Sequence, residues 1–200
     1  CIYGPAGCGK THNVCSIASQ LIKETNVYLC FGIQFNKNKE GIIAEIRKIF
    51  NFENENYLEE LQNRAENDAA NIGTRRYVFI IDALNEGLDD LYWRESLGVL
   101  KEEFDKYTNM ALVVTVRKPF QEKYELNRWS YRMQHLPGLD NSQDVVNKYF
   151  EAYQIDYKKH LSGFKNGLFL NIFCETYASM PYYDRRWLGS LWVLYRQYIH

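Results

Sequence analysis

Eight residues near the start of the chain, Gly4-Pro5-Ala6-Gly7-Cys8-Gly9-Lys10-Thr11, restrict its folding more than any other stretch. They fit G-x-x-x-x-G-K-[ST], a phosphate-binding loop that requires a strand before it and a helix after it. The glycines let the backbone turn tightly and approach an anion with no side chain in the way. Successive N–H groups then point inward and, with the positive end of the following helix, cradle phosphates. Lys10 brings a full charge to the β/γ-phosphates, and the Thr11 hydroxyl is a ligand for Mg²⁺. The flanks agree with this reading. The apolar Cys1-Ile2-Tyr3 reads as the end of a strand, and Val14, Ile17, Ala18, Leu21 and Ile22 fall on one face of a helix. Cys8 reads as a small residue filling the loop. The candidate nucleotide-binding residues are therefore Gly4, Pro5, Ala6, Gly7, Cys8, Gly9, Lys10, Thr11 and His12.

Farther along, Tyr77-Val78-Phe79-Ile80-Ile81-Asp82 is an apolar run ending in a carboxylate. It matches a Walker B strand, buried on both faces as parallel strands are. Asp82 then stands at the strand's carboxyl end, where open α/β sheets bind ligands, and can hold Mg²⁺ opposite Thr11. Glu86 follows four residues later. It reads either as the carboxylate that orients or deprotonates an attacking water, or as an acid favoured at a helix start. Asn85 is a polar candidate of lower rank. Met110 to Arg117 is another buried strand, and its polar end offers Thr115 or Arg117 as a γ-phosphate sensor or, more plainly, as a cap of the strand.

Between and after these lie further elements. Asn26 to Phe35 reads as a strand closed by Asn36-Lys37-Asn38-Lys39, and Ile42, Ile43, Ile46, Ile49 and Phe50 mark a helix. Leu58, Leu61 and Ala65 have helical spacing in an acidic, Asn-rich stretch whose charge is a solvated face. Trp93, Leu97, Leu100 and Phe104 form a core stripe; Lys118 to Ser130 reads as irregular, and Tyr131 to Leu136 as a fifth strand in which His135 is packed or capping. These readings add up to an α/β fold: a P-loop NTPase with a parallel five-stranded sheet of the additional-strand, ASCE/AAA+-like type, and then a small helical domain. The expected boundary places the nucleotide-binding domain at 1–137 and the helical domain at 138–200. Val145, Val146, Tyr149, Phe150 and Tyr153 mark its first helix, and Leu168, Ile172, Phe173 and Tyr177 its second. Trp187, Leu191, Trp192, Leu194, Tyr195 and Tyr198 mark its third. With only three residues ahead of the loop and an apolar end, the chain reads as a piece of something longer, its first strand truncated and its helical domain incomplete.

The bulk properties narrow the function classes. A net charge of −1 without a long basic run does not support a dominant electrostatic attraction to nucleic acid. The 5 cysteines form no C-x-x-C pair, which predicts reduced thiols and a cytoplasmic setting. No apolar run is long enough to span a membrane.

Ile80-Ile81-Asp82-Ala83-Leu84-Asn85-Glu86 resembles the extended Walker B of NACHT-type STAND ATPases, and its D-A-L-N-E wording is most similar to the bacterial antiviral STAND (Avs) proteins. Thr115-Val116-Arg117 resembles their sensor-1 ending, and Asn166-Gly167-Leu168-Phe169-Leu170-Asn171-Ile172-Phe173-Cys174-Glu175 their helical-domain signature. The resemblance implies an ATP/ADP- and Mg²⁺-dependent ATPase switch of slow or regulated turnover. In it a trigger ligand, such as a viral protein, is sensed by a domain outside this chain, and the module self-oligomerises to activate an effector. The roles it implies are Lys10 and Thr11 on phosphate and Mg²⁺, Asp82 on Mg²⁺, Glu86 on the water and Arg117 as sensor. Gly167 departs from the proline of relatives, which sits near the adenine and the hinge. The competing readings are a DNA-handling AAA+ motor or loader, a nucleotide kinase, and a nucleotide-holding scaffold without turnover.

Overall fold

A computed structural model describes residues 1–35, 40–72, 76–87, 90–129, 132–139, 143–156, 164 and 166–180. Its internal contacts divide the chain into two units, Cys1–Gly4 with Lys10–His135, and Pro5–Gly9 with the chain from Leu136 onward. Each is described by itself.

The first unit is built on a five-stranded sheet: β1 (Ile2–Gly4), β2 (Asn26–Phe31), β3 (Tyr77–Asp82), β4 (Met110–Arg117) and β5 (Gln134–His135). The strand order is β2-β3-β4-β1-β5, and every pairing is parallel. β4 thus lies between β1 and β3, which is the additional-strand arrangement of P-loop NTPases. Phe31 pairs with Asp82, and Gly4 with Arg117, so the carboxyl ends of β1, β2, β3 and β4 share one edge.

Side-chain alternation sorts the strands into two faces. Val78 and Ile80 of β3 pack with Val27, Leu29 and Val113 against Val14, Ala18 and Leu21 of α1 (Lys10–Leu21). Tyr77, Phe79 and Ile81 turn to the larger core. There they meet α2 (Ile42–Ile49), α3 (Tyr57–Ile72) and α4 (Asp90–Phe104), through Ile42 and Ile46, Leu58, Leu61 and Ala65, and Trp93, Leu97, Leu100 and Phe104. All six residues of β3 are buried, as a central strand covered on both faces requires.

Four local expectations differ from the fold. The strand from Asn26 stops at Phe31, and Gly32–Gln34 turns as a 3-10 helix whose Gln34 side chain accepts from Phe31 N at 2.7 Å. The irregular stretch after Arg117 is α5 (Lys118–Lys123) and α6 (Leu126–Trp129). Pro119 is tolerated in the first turn of α5, where an N–H has no partner to lose, and Tyr124 and Leu126 anchor the pair in the core. The fifth strand is only Gln134–His135, with the His135 ring tilted against Tyr3 at 5.1 Å. Ile17 on α1 and Ile22 just past its end are exposed, at opposite edges of the narrow Val14–Ala18–Leu21 stripe.

The second unit holds α7 (Gln143–Ala152) and α8 (Gly167–Ser179). Val146 and Phe150 pack with Phe164, Leu170, Ile172, Phe173 and Tyr177. Leu168, at the N-terminal turn of α8, is exposed and falls outside that core. The expected third helix, Trp187 to Tyr198, lies outside the described residues. No helix among the described residues is long and apolar enough to cross a membrane.

All five cysteines are free thiols, and burial pushes Cys30 and Cys174 up to about 12 from an ordinary 9.0. Maleimide labelling of the native protein should therefore mark exposed Cys15 promptly and Cys30 and Cys174 only on unfolding. The unfolded chain releases these two protons near the ordinary value while the folded chain keeps them. Their contribution to stability is thus complete below pH 9.0 and is lost as pH rises toward 12. A urea midpoint that stays level through this alkaline range would contradict the burial.

Candidate functional site

Asp82 ends the fully buried strand β3 with its side chain 1% exposed. A carboxylate so placed is tolerated only with hydrogen bonds on its oxygens. Thr11 Oγ1, from the first turn of α1, donates to Asp82 Oδ2 at 2.6 Å. Thr115 Oγ1, from β4, donates to Asp82 Oδ1. The same Thr115 hydroxyl accepts from Ala83 N at 2.9 Å. Thr115 is 0% exposed, and its hydroxyl holds both Asp82 and the turn after it. Ala83 sits in the left-handed region (φ 55°), a conformation that costs a non-glycine residue about 1 kcal/mol and needs such a tether.

After Ala83 the 3-10 turn Leu84–Glu86 carries the next candidates. Asn85 Oδ1 accepts from Arg117 N at 3.0 Å and so ties the turn to the end of β4. Arg117 Nη2 pairs with Glu86 Oε1 at 2.9 Å, the side chains being 45% and 50% exposed. An ion pair this open is worth about 0.2–1 kcal/mol, so a phosphate or an ordered water displaces it at little cost. Glu86 and Arg117 are therefore together, and both are available.

Sequence reasoning missed what seats this turn. A Cβ on Gly87 would stand 2.6 Å from the carbonyl carbon of Gly32, and one on Gly32 would stand 2.9 Å from Leu84 Cα. Backbone lies directly on backbone, and only glycine fits on either side. The only signal was two glycines, Gly32 inside the expected Asn26–Phe35 strand and Gly87 a few residues past Asp82, and their mutual contact is a tertiary fact.

Lys10 is buried and its Nζ donates to Gly4 O at 3.2 Å. Thr11 and His12 are exposed on the first turn of α1. Pro5–Gly9 belong by their contacts to the second unit, where Asn166 Nδ2 donates to Ala6 O at 2.6 Å. His135 makes its ring contact with Tyr3 and stands in no metal cluster; among the described residues no group of three or more His, Cys, Asp or Glu side chains could hold a metal. What the site offers instead is one hydroxyl and one carboxylate, both hard oxygen donors. That set fits Mg²⁺, which takes one or two carboxylates and completes its shell with phosphate oxygens and water. Thr11 and Asp82 would hold the ion, which when bound neutralises phosphate charge.

No family model matches the sequence, and none of the curated proteins matches it. Among solved structures the chain is similar to Cdc6p from Pyrobaculum aerophilum, at 15% identity and TM-score 0.47, over 76% of this chain and 41% of that one. It is also similar to Drosophila ORC bound to GC-rich DNA and Cdc6, at 12% identity and TM-score 0.39, over 99% and 74%. Domain III of the Thermotoga maritima replication initiation protein DnaA matches at 14% identity and TM-score 0.35, over 98% and 75%. The chain thus spans well under half the length of the Pyrobaculum protein.

The two kinds of contact predict different mutational costs. Thr115→Val keeps the shape of the side chain but strips Asp82 of a buried donor, and should lower unfolding stability in urea by about 1–3 kcal/mol. Thr115→Ser should recover most of it. Arg117→Ala, which opens an exposed pair, should change stability by no more than about 0.5–1 kcal/mol.

Proposed function

We propose that this chain is the ATP-binding and ATP-hydrolysing module of a signalling switch. The observation that carries the reading is the hydrogen bond from Thr11 to Asp82, 71 residues apart in sequence. It brings the last residue of the phosphate-loop motif against the carboxylate that ends β3. The residue types fit the roles: Lys10 for phosphate charge, Thr11 and Asp82 for Mg²⁺, Glu86 for the attacking water, and Arg117 for a γ-phosphate once it leaves Glu86.

Within that class we favour a NACHT-type STAND switch of antiviral defence. The wording Asp82-Ala83-Leu84-Asn85-Glu86 and the segment Asn166 to Glu175 support it. On this reading a trigger ligand, viral in origin by analogy with that family, engages a domain outside this chain. ATP binding then promotes self-oligomerisation. The near-neutral charge balance gives no support to a DNA-handling role for the same core.

The test is the nucleotide carried by purified full-length protein before and after ATP loading, for wild type, Lys10→Ala and Glu86→Gln. We expect ADP on the wild type, retained ATP on Glu86→Gln with turnover lowered about 100-fold or more, and no stable nucleotide on Lys10→Ala. Equal ATP retention by wild type and Glu86→Gln would make the module a scaffold without turnover. Turnover stimulated by duplex DNA would place it with DNA-handling ATPases, and nucleotide on none of the three proteins would reject the phosphate-loop assignment.

A further inference from the structure

We propose that Asn166 is a positioning residue for the phosphate-binding loop: it sets the direction in which the loop's Gly7 and Cys8 N–H groups point. The inference rests on the nucleotide-binding reading above, and all its contacts lie within the second unit.

Asn166 is the N-cap of α8. Its Oδ1 accepts from Leu168 N at 2.9 Å and from Phe169 N at 3.3 Å, the ordinary work of a capping asparagine. A capping serine or aspartate would do as much. Asparagine alone among the good capping residues also carries an N–H₂, and here Nδ2 donates to Ala6 O at 2.6 Å. The amide can be placed only one way, because Leu168 N and Phe169 N are donors and Ala6 O only accepts. One residue further on, Gly7 O accepts from Leu168 N at 3.4 Å. Two successive loop carbonyls are thereby drawn toward the start of α8.

The consequence follows from the planarity of the peptide unit. Among the described residues there is no cis peptide bond, and in a trans unit the C=O and the N–H point in opposite directions. With Ala6 O turned toward Asn166, the Gly7 N–H faces away from α8. With Gly7 O turned toward Leu168 N, the Cys8 N–H does likewise. These are two of the donors at the centre of G-x-x-x-x-G-K-[ST]. The fit is close enough to restrict position 7. Gly7 has φ of 70°, and a Cβ there would stand 2.8 Å from Asn166 Nδ2 and 2.9 Å from Leu168 Cβ. Gly167 is under no such demand, since its Cβ would meet Gly7 O at an ordinary 3.6 Å. The constraint sits on Asn166 and Gly7, not on the glycine that departs from the related signature.

A merely structural cap and a positioning residue are separated by variants that keep the cap and lose the donor. Asn166→Asp and Asn166→Ser retain an oxygen for Leu168 N and Phe169 N; Asn166→Ala loses both functions. In ligand-free full-length protein we expect Asn166→Asp and Asn166→Ser to shift the Gly7 and Cys8 amide NMR signals, leaving that of Val14 in place. Both should weaken binding of a fluorescent ATP analogue about three- to tenfold, the loss of one net hydrogen bond, with a smaller drop in thermal midpoint than Asn166→Ala. Unmoved Gly7 and Cys8 signals, or an affinity equal to wild type, would overturn the proposal. So would a loss of stability in the two cap-retaining variants as large as in Asn166→Ala. If wild type and Lys10→Ala alike fail to bind the analogue, the proposed function falls instead, and the amide signals still decide whether Asn166 orients the loop.

Discussion

A carboxylate taken almost wholly out of water must find donors for both of its oxygens, and Asp82 finds one hydroxyl for each. That requirement organises the carboxyl edge of the sheet. It brings α1 to the end of β3 through Thr11. It also brings β4 alongside through Thr115, which in turn anchors the left-handed Ala83 by its N–H. If the hydroxyl of Thr115 were lost, a buried oxygen and a buried N–H would both lack a partner, whereas its neighbour Arg117 could change hands in solvent. The site therefore combines a fixed half, built on hydroxyl–carboxylate bonds, with an adjustable half, the exposed Glu86–Arg117 pair.

That contrast bears on how the two exposed side chains can exchange partners. Glu86 and Arg117 satisfy one another while neither is committed to a ligand, and their exposed pairing is weak. Binding that draws Arg117 elsewhere releases Glu86 at a cost within thermal reach. Asn85 holds the backbone of Arg117 throughout, so the exchange involves the guanidinium end and not the strand.

Much of this was legible in the sequence because the relevant signals are local. The loop motif, the apolar run ending in Asp82, and the helical stripes through Trp93, Leu97 and Leu100 are each a spacing rule that one segment satisfies by itself. The arrangement of a parallel five-stranded sheet followed, since buried parallel strands lack the polar alternation of half-solvated ones. What sequence reasoning could not reach is set by partners distant in the chain. Thr115 stands at the polar end of a strand, where sensing and capping look alike, and its contact with Asp82 is not visible in the sequence. The helices after Arg117 were hidden by a proline and a polar composition, and became helices because Tyr124 and Leu126 had a core to enter. Asn166 entered the sequence reading only as the first residue of the helical-domain signature; its cap of α8 and its hydrogen bond to Ala6 come from the structure.

The apposition of Gly32 and Gly87 has a mechanical consequence. Two main chains that touch without intervening side chains have no rotamers with which to absorb a displacement. The turn that bears Glu86 cannot shift toward β2 without pushing the end of that strand, and β2 lies at the margin of the sheet, with β3 as its paired neighbour. The margin of the sheet is thus coupled in contact to the turn that carries Glu86. A displacement of the Glu86 turn toward β2 would therefore have to move the 3-10 turn at Gly32–Gln34, which carries the exposed Ile33 to the surface.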